Sequence, residues 1–259
     1  MSNYLEELFA LGGKTAALSG AGGFLVSEMC RALARCGVSV AALDVRAEDA
    51  ARTVDRIVQE GGKAIAIAMD VTRKEEWERA LATTLEAFGQ CDFLVNGAGR
   101  NAPTPFFDIQ TADWQGIFEV QMLGTMLGCQ VFGKYMVDRG KGSILNISSS
   151  SADPPLSKAF AYSASKAAIR NLTQNLAREW GTCGVRVNSL RPGFFPTEWN
   201  RKNFLSEERI QAIMKHTPMK RFGEPRELLG AVLWVLSDAA NFVTGADICV
   251  DGGFAAMTI

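Results

Sequence analysis

Residues 15–30 read TAALSGAGGFLVSEMC: an apolar run of strand length, a turn with glycine at 20, 22 and 23, and then a stretch carrying Met29 and Leu33 at helical spacing. A strand that turns through glycines into a helix leaves backbone N–H groups at the positive helix end open to an anion such as a pyrophosphate. Any tight strand-to-helix turn also favours glycine, so both readings stand on this stretch alone. Ser19, Gly20, Gly22 and Gly23, with Phe24 and Leu25 behind them, are the candidate phosphate contacts.

Working outward, short apolar runs recur at 38–43, 64–69, 93–95, 143–147, 185–190 and 248–250. Between them the segments 47–60, 74–88, 113–139, 159–180 and 225–236 place apolar residues three and four apart. Strands apolar on both faces, joined by helical crossovers, predict a parallel sheet covered on both sides, a doubly wound α/β sandwich. The chain has 259 residues, 47% of them hydrophobic, and shows no repeat or linker, which predicts one domain over 1–259. A formal charge of -1 offers no basic face for nucleic acid and no polybasic patch for a membrane surface. Charge interrupts every apolar stretch before the roughly 18 residues of a membrane span, so a soluble protein is expected. Cys30, Cys36, Cys91, Cys129, Cys183 and Cys249 are scattered singly and His216 is the sole histidine. That pattern reads as reduced thiols in a cytoplasmic protein with no metal site, and His216 is expected in a loop without a role.

In such a sheet, ligands bind beyond the carboxyl ends of the strands. Asp44 ends the second apolar run, where a carboxylate accepts hydrogen bonds from ribose hydroxyls and repels a 2′-phosphate. NAD is the favoured cofactor, while Arg46 keeps NADP open and a plain turn cap is the bland alternative. Asp70 and Val71 follow the third run, where Asp70 meets an adenine or caps the helix from Lys74. Asn96, Gly97 and Ala98 follow the fourth, a segment with almost no side-chain bulk that suits close passage of a ligand. Ser149 follows the fifth, and Tyr162 and Lys166 lie four apart on one helical face. A phenol near pKa 10 is a poor base at neutral pH, and an adjacent ammonium is expected to lower it.

With these residues in place, from Lys14 to Phe254, the chain resembles the short-chain dehydrogenase/reductase family. The resemblance is carried by Asn96-Gly97-Ala98-Gly99, Ser149, Tyr162-x-x-x-Lys166, Asn188, Pro192-Gly193 with Thr197, and Val250-Asp251-Gly252-Gly253. It implies a Rossmann fold with a seven-stranded parallel sheet and a homotetramer formed through the helices around 122–136 and 159–180. It also implies that Tyr162 exchanges the substrate proton, that Ser149 binds the substrate oxygen, and that Lys166 holds the nicotinamide ribose. Pro192, Gly193 and Thr197 are implied around the nicotinamide, and Gln121 stands where the family usually carries a fourth catalytic residue, an asparagine.

Two departures stand out. Phe24 and Val26 replace the second and third glycines of the family loop, and a branched residue at 26 is expected to push the first helix outward or require a matching gap. Gln121 keeps the asparagine amide on a longer arm. Loops 100–107, 150–160 and 198–220 are the expected substrate contacts, with Arg100, Asn101, Lys158 and Trp199 as candidates. The glycine run followed by Phe24-Leu25 resembles members acting on polyols and sugar acids. The function expected is NAD-dependent interconversion of a secondary alcohol and a ketone on a sugar, polyol or sugar acid. The competing readings are a 3-oxoacyl or steroid-type carbonyl reductase and a catalytically idle nucleotide-binding protein.

Overall fold

The computed structural model describes residues 4–197 and 205–257. Seven parallel strands form one sheet: β1 (Thr15–Ser19), β2 (Ser39–Asp44), β3 (Ala64–Ala68), β4 (Phe93–Asn96), β5 (Gly142–Ile147), β6 (Val185–Pro192) and β7 (Asp247–Val250). Their order is β3-β2-β1-β4-β5-β6-β7, so the direction of winding reverses between β1 and β4, the place where such sheets open a crevice.

Alternation along the strands divides the core. Ala16, Leu18, Val95 and Leu145 pack on one face with Met29 and Leu33 from α2 (Phe24–Arg35) and Leu228 and Val232 from the helix Arg226–Leu236. Ala17, Leu94 and Ile144 pack on the other with Trp77 from α4 (Lys74–Phe88) and Phe132 and Met136 from α6 (Gly124–Arg139). The first face also carries α3 (Ala47–Gln59) through Ile57, and α7 (Phe160–Trp180) covers the second through Ala177. Trp77 and Phe132 meet edge to face with centroids 5.9 Å apart, a geometry that adds to their area burial.

The helix expected over 113–139 is two helices, α5 (Thr111–Phe118) and α6, joined by a π-helical turn, Glu119–Leu123. The wider turn carries Gln121 into the interior, where it is fully buried. Two further helices were not expected: the short α1 (Tyr4–Phe9) and α8 (Glu207–His216), which precedes α9 (Arg226–Leu236). His216 is therefore the last residue of a helix rather than a loop residue, and its ring packs on Phe254 at 4.7 Å between centroids. All six cysteines are free, and no helix among the described residues is long and apolar enough to cross a membrane.

Candidate active site

The phosphate turn lies at the mouth between β1 and β4. Gly20 has φ +76°, and a Cβ there would come within 2.8 Å of the Ala98 Cα, so two bare backbones lie against each other. Gly23 is the N-cap of α2 and supplies no capping side chain, which leaves the first-turn N–H groups of Phe24 and Leu25 for an anion. Val26 is buried beneath them. The matching gap exists: a Cβ on Gly97 would stand 2.6 Å from Val26 Cγ2, so the glycine there leaves the space that Val26 fills. The glycine missing from α2 reappears across the crevice at Gly97.

Ser19 and Asn96, both expected as cofactor contacts, are buried, and their side chains bond within the protein. Ser19 Oγ accepts the N–H groups of Gly97 and Ala98 at 3.2 and 3.4 Å and so braces the wall of the crevice. Asn96 alternates with Val95 and so points into the α6 layer, where its Nδ2 donates to Asn146 Oδ1 at 2.8 Å. Asn146 in turn donates to Thr173 Oγ1 on α7 at 2.9 Å.

At the adenosine end, Asp44 is buried and both its oxygens are held by backbone: Oδ2 accepts from Gly22 N at 2.9 Å and Oδ1 from Arg46 N at 3.0 Å. Each oxygen keeps a lone pair, as a ribose diol requires. Asp70 closes a turn by accepting from the N–H and hydroxyl of Thr72 at 2.9 and 2.8 Å, and the N-cap of α4 is Arg73 rather than Asp70. Val71 packs on Gly124 of α6 and its carbonyl accepts from Trp77 Nε1 at 2.8 Å. At the other end, Pro192 closes β6, and Gly193 N donates to Val250 O at 3.0 Å with room for no Cβ beside Asp251. Thr197 follows, half-buried. Bare glycines, an uncapped helix start and an oriented carboxylate together fit a dinucleotide.

Ser149 follows β5 in extended conformation and caps the short turn Ser150–Ala152. Its Oγ accepts from Ser151 N at 3.2 Å and Ser151 Oγ at 3.1 Å, which frees its own proton for the Tyr162 phenol. Lys166 Nζ lies 5.6 Å from the Tyr162 ring centroid and donates to the Ile147 carbonyl at 2.7 Å. The three residues expected to do the chemistry are thus brought together. Their electrostatics differ from the expectation. Burial holds Tyr162 above its ordinary range, opposed by the Ser149 hydrogen bond and not by the lysine, and burial brings Lys166 itself down to about 7. The reason is that the ammonium stands over the ring in a desolvated place, where its own charge is disfavoured.

Gln121 donates its Nε2 to the Arg100 carbonyl at 3.0 Å, and its buried Oε1 has no partner. The amide therefore ties down the start of the loop after β4. The Arg100 guanidinium lies along α5 near Gly116, 3.4 Å from Asp113, and is not gathered with Ser149 and Tyr162. Asn101 and Lys158 are exposed, and Trp199 lies outside the described residues. Past the ends of β6 and β7 a cavity of about 100 Å³ is lined by Phe194, Thr217, Met219 and Asp251. Sequence spacing did not single out Asp49 or Ser151. The signals were there: an extra glycine at 22 and a serine two beyond Ser149.

A fold of this winding, with a serine, tyrosine and lysine at the rim of a glycine-walled crevice, defines a nicotinamide-dependent oxidoreductase class. Residues 25–255 match the family model described as Enoyl-(Acyl carrier protein) reductase. Galactitol 2-dehydrogenase (L-tagatose-forming) of Cereibacter sphaeroides is 39% identical over 96% of this chain and 98% of its own. A gluconate 5-dehydrogenase from Burkholderia cenocepacia, in complex with NADP and tartrate, superposes with a TM-score of 0.91 at 30% identity, covering 97% of this chain and 100% of that one. A protein provisionally named D-mannonate oxidoreductase from Haemophilus influenza, with bound NAD, gives 0.90 at 37% identity over 96% and 97%. The chain belongs to the short-chain dehydrogenase/reductase family and is an oxidoreductase acting on CH–OH groups.

Proposed function

We propose that this protein is an NAD-dependent dehydrogenase that interconverts a secondary alcohol and a ketone on a sugar, polyol or sugar acid. The observation that carries the reading is the Ser149–Tyr162–Lys166 group at the rim of a crevice whose far end presents Asp44 with both oxygens oriented. The galactitol and gluconate enzymes among its relatives support the substrate class.

The dinucleotide would be held by the turn from Gly20 to Leu25, by Asp44, and by Gly97, Ala98, Pro192, Gly193 and Thr197. When bound, it accepts or supplies the hydride. Tyr162 takes the hydroxyl proton in oxidation and returns it in reduction. Ser149, with its acceptor positions filled by Ser151, has one proton, which would turn from the Tyr162 phenol to the reacting oxygen when substrate binds and so hold that oxygen beside Tyr162. Lys166, anchored on the Ile147 carbonyl, presents its remaining N–H donors beside the phenol.

A screen of polyols and aldonates for NADH formation tests the substrate class. Tyr162→Phe is expected to lower kcat by about 10²- to 10⁴-fold while NAD still binds in calorimetric titration. Equal turnover in the two proteins would remove Tyr162 from the chemistry.

A further inference from the structure

The adenosine end of the crevice contains a second carboxylate. Asp49 is the third residue of α3 and its side chain is only 8% exposed. It packs so tightly on the phosphate turn that a Cβ on residue 22 would collide with the Asp49 Cβ and come within 3.1 Å of Asp44 Oδ2. Gly22 is the residue that admits both carboxylates. Two exposed arginines close on Asp49, Arg46 Nε on Oδ2 and Arg52 Nη2 on Oδ1. Arg46 is also the residue whose backbone N–H holds Asp44, so its side chain starts beside the carboxylate that would take the ribose.

We propose that Asp49 is a specificity-determining residue that selects against a 2′-phosphate by committing Arg46 and Arg52 to itself. This inference rests on the nicotinamide reading above and deepens it. A 2′-phosphate is recognised by a guanidinium free to bond two of its oxygens. Here the nearest candidate is already paired with a buried carboxylate and turned back onto α3. An acidic residue in the first helical turn also favours the helix dipole, but that role by itself leaves ligand discrimination untouched.

The test is calorimetric titration of the full chain with 5′-AMP and 2′,5′-ADP, which differ only in the 2′-phosphate. Asp49→Asn is expected to bind 2′,5′-ADP about tenfold more tightly than the native chain, with 5′-AMP affinity within about twofold. Adding Arg46→Ala is expected to abolish the gain. An unchanged ratio in a folded Asp49→Asn protein overturns the proposal, as does a gain that survives the loss of Arg46. Should Asp49→Asn fail to fold, Arg46→Ala in the native background decides. An already committed arginine leaves 2′,5′-ADP affinity unchanged, and a tenfold loss would overturn the idea. A native chain that binds neither nucleotide overturns the nicotinamide reading and the proposal with it. One that binds 2′,5′-ADP at least as tightly as 5′-AMP overturns the selection by Asp49 while leaving the nicotinamide reading intact.

Discussion

Lys166 shows how much a single buried group decides. Its folded-state pKa of about 7 lies below the unfolded value of 10.5 because burial disfavours the charge. Below pH 7 both states are protonated and the folded state carries the full cost of a buried ammonium. Between pH 7 and 10.5 the unfolded chain binds the extra proton, so this contribution makes the fold more stable as pH rises. Denaturant midpoints from pH 6 to 10 are expected to rise for the native chain relative to Lys166→Met, and parallel curves would refute the assignment. Tyr162, held above its ordinary range, titrates on the alkaline side. Alcohol oxidation, which needs the phenol deprotonated, is therefore expected to accelerate with pH through the alkaline range, while ketone reduction slows, as initial rates in both directions would record.

At the scale of elements, the contact between α2 and the turn after β4 rests on Val26 and Gly97. Gly97→Ala places a methyl 2.6 Å from Val26 Cγ2 and 3.0 Å from the Ser19 carbonyl. It is expected to cost about 1–3 kcal/mol in urea unfolding. Combining it with Val26→Ala should recover part of that loss, with a coupling of about 0.5 kcal/mol or more. Additive losses would mean that the two residues do not share the space. The loop after Ser149 is anchored differently. Asp153 accepts from Arg191 Nη1 at 2.7 Å and also pairs with Arg170, while Arg191 Nε donates to Asp247 at 2.8 Å. With Arg191 7% exposed, removing its charge would leave Asp247 without its main partner.

Across the whole molecule, the surface carries apolar material that the monomer does not cover. Phe106, Phe107 and Phe160 are exposed and stack edge to face, 5.9 and 5.1 Å between centroids, beside the start of α7. Contiguous exposed aromatics mark association surfaces, and closed symmetric assembly is the common outcome for identical chains. Sedimentation equilibrium is expected to return a multiple of the chain mass, four times on the family resemblance, and a monomer at micromolar concentration would exclude assembly through this surface. The sequence by itself determined the alternation of strands and helices, because short continuous apolar runs and the 3.6-residue period are written in local spacing. It also determined the pairing of Tyr162 with Lys166, one helical turn apart, and the place of Asp44 at a strand end. Only the tertiary structure decided that Gly97 makes room for Val26, that Asn96 turns into the core and that Asp49 lies under the phosphate turn. It also decided that Lys166 is drawn to about 7 rather than drawing Tyr162 down. Each of those outcomes depends on contact or desolvation by residues distant in the chain, and spacing along a sequence carries no record of which distant groups packing brings together.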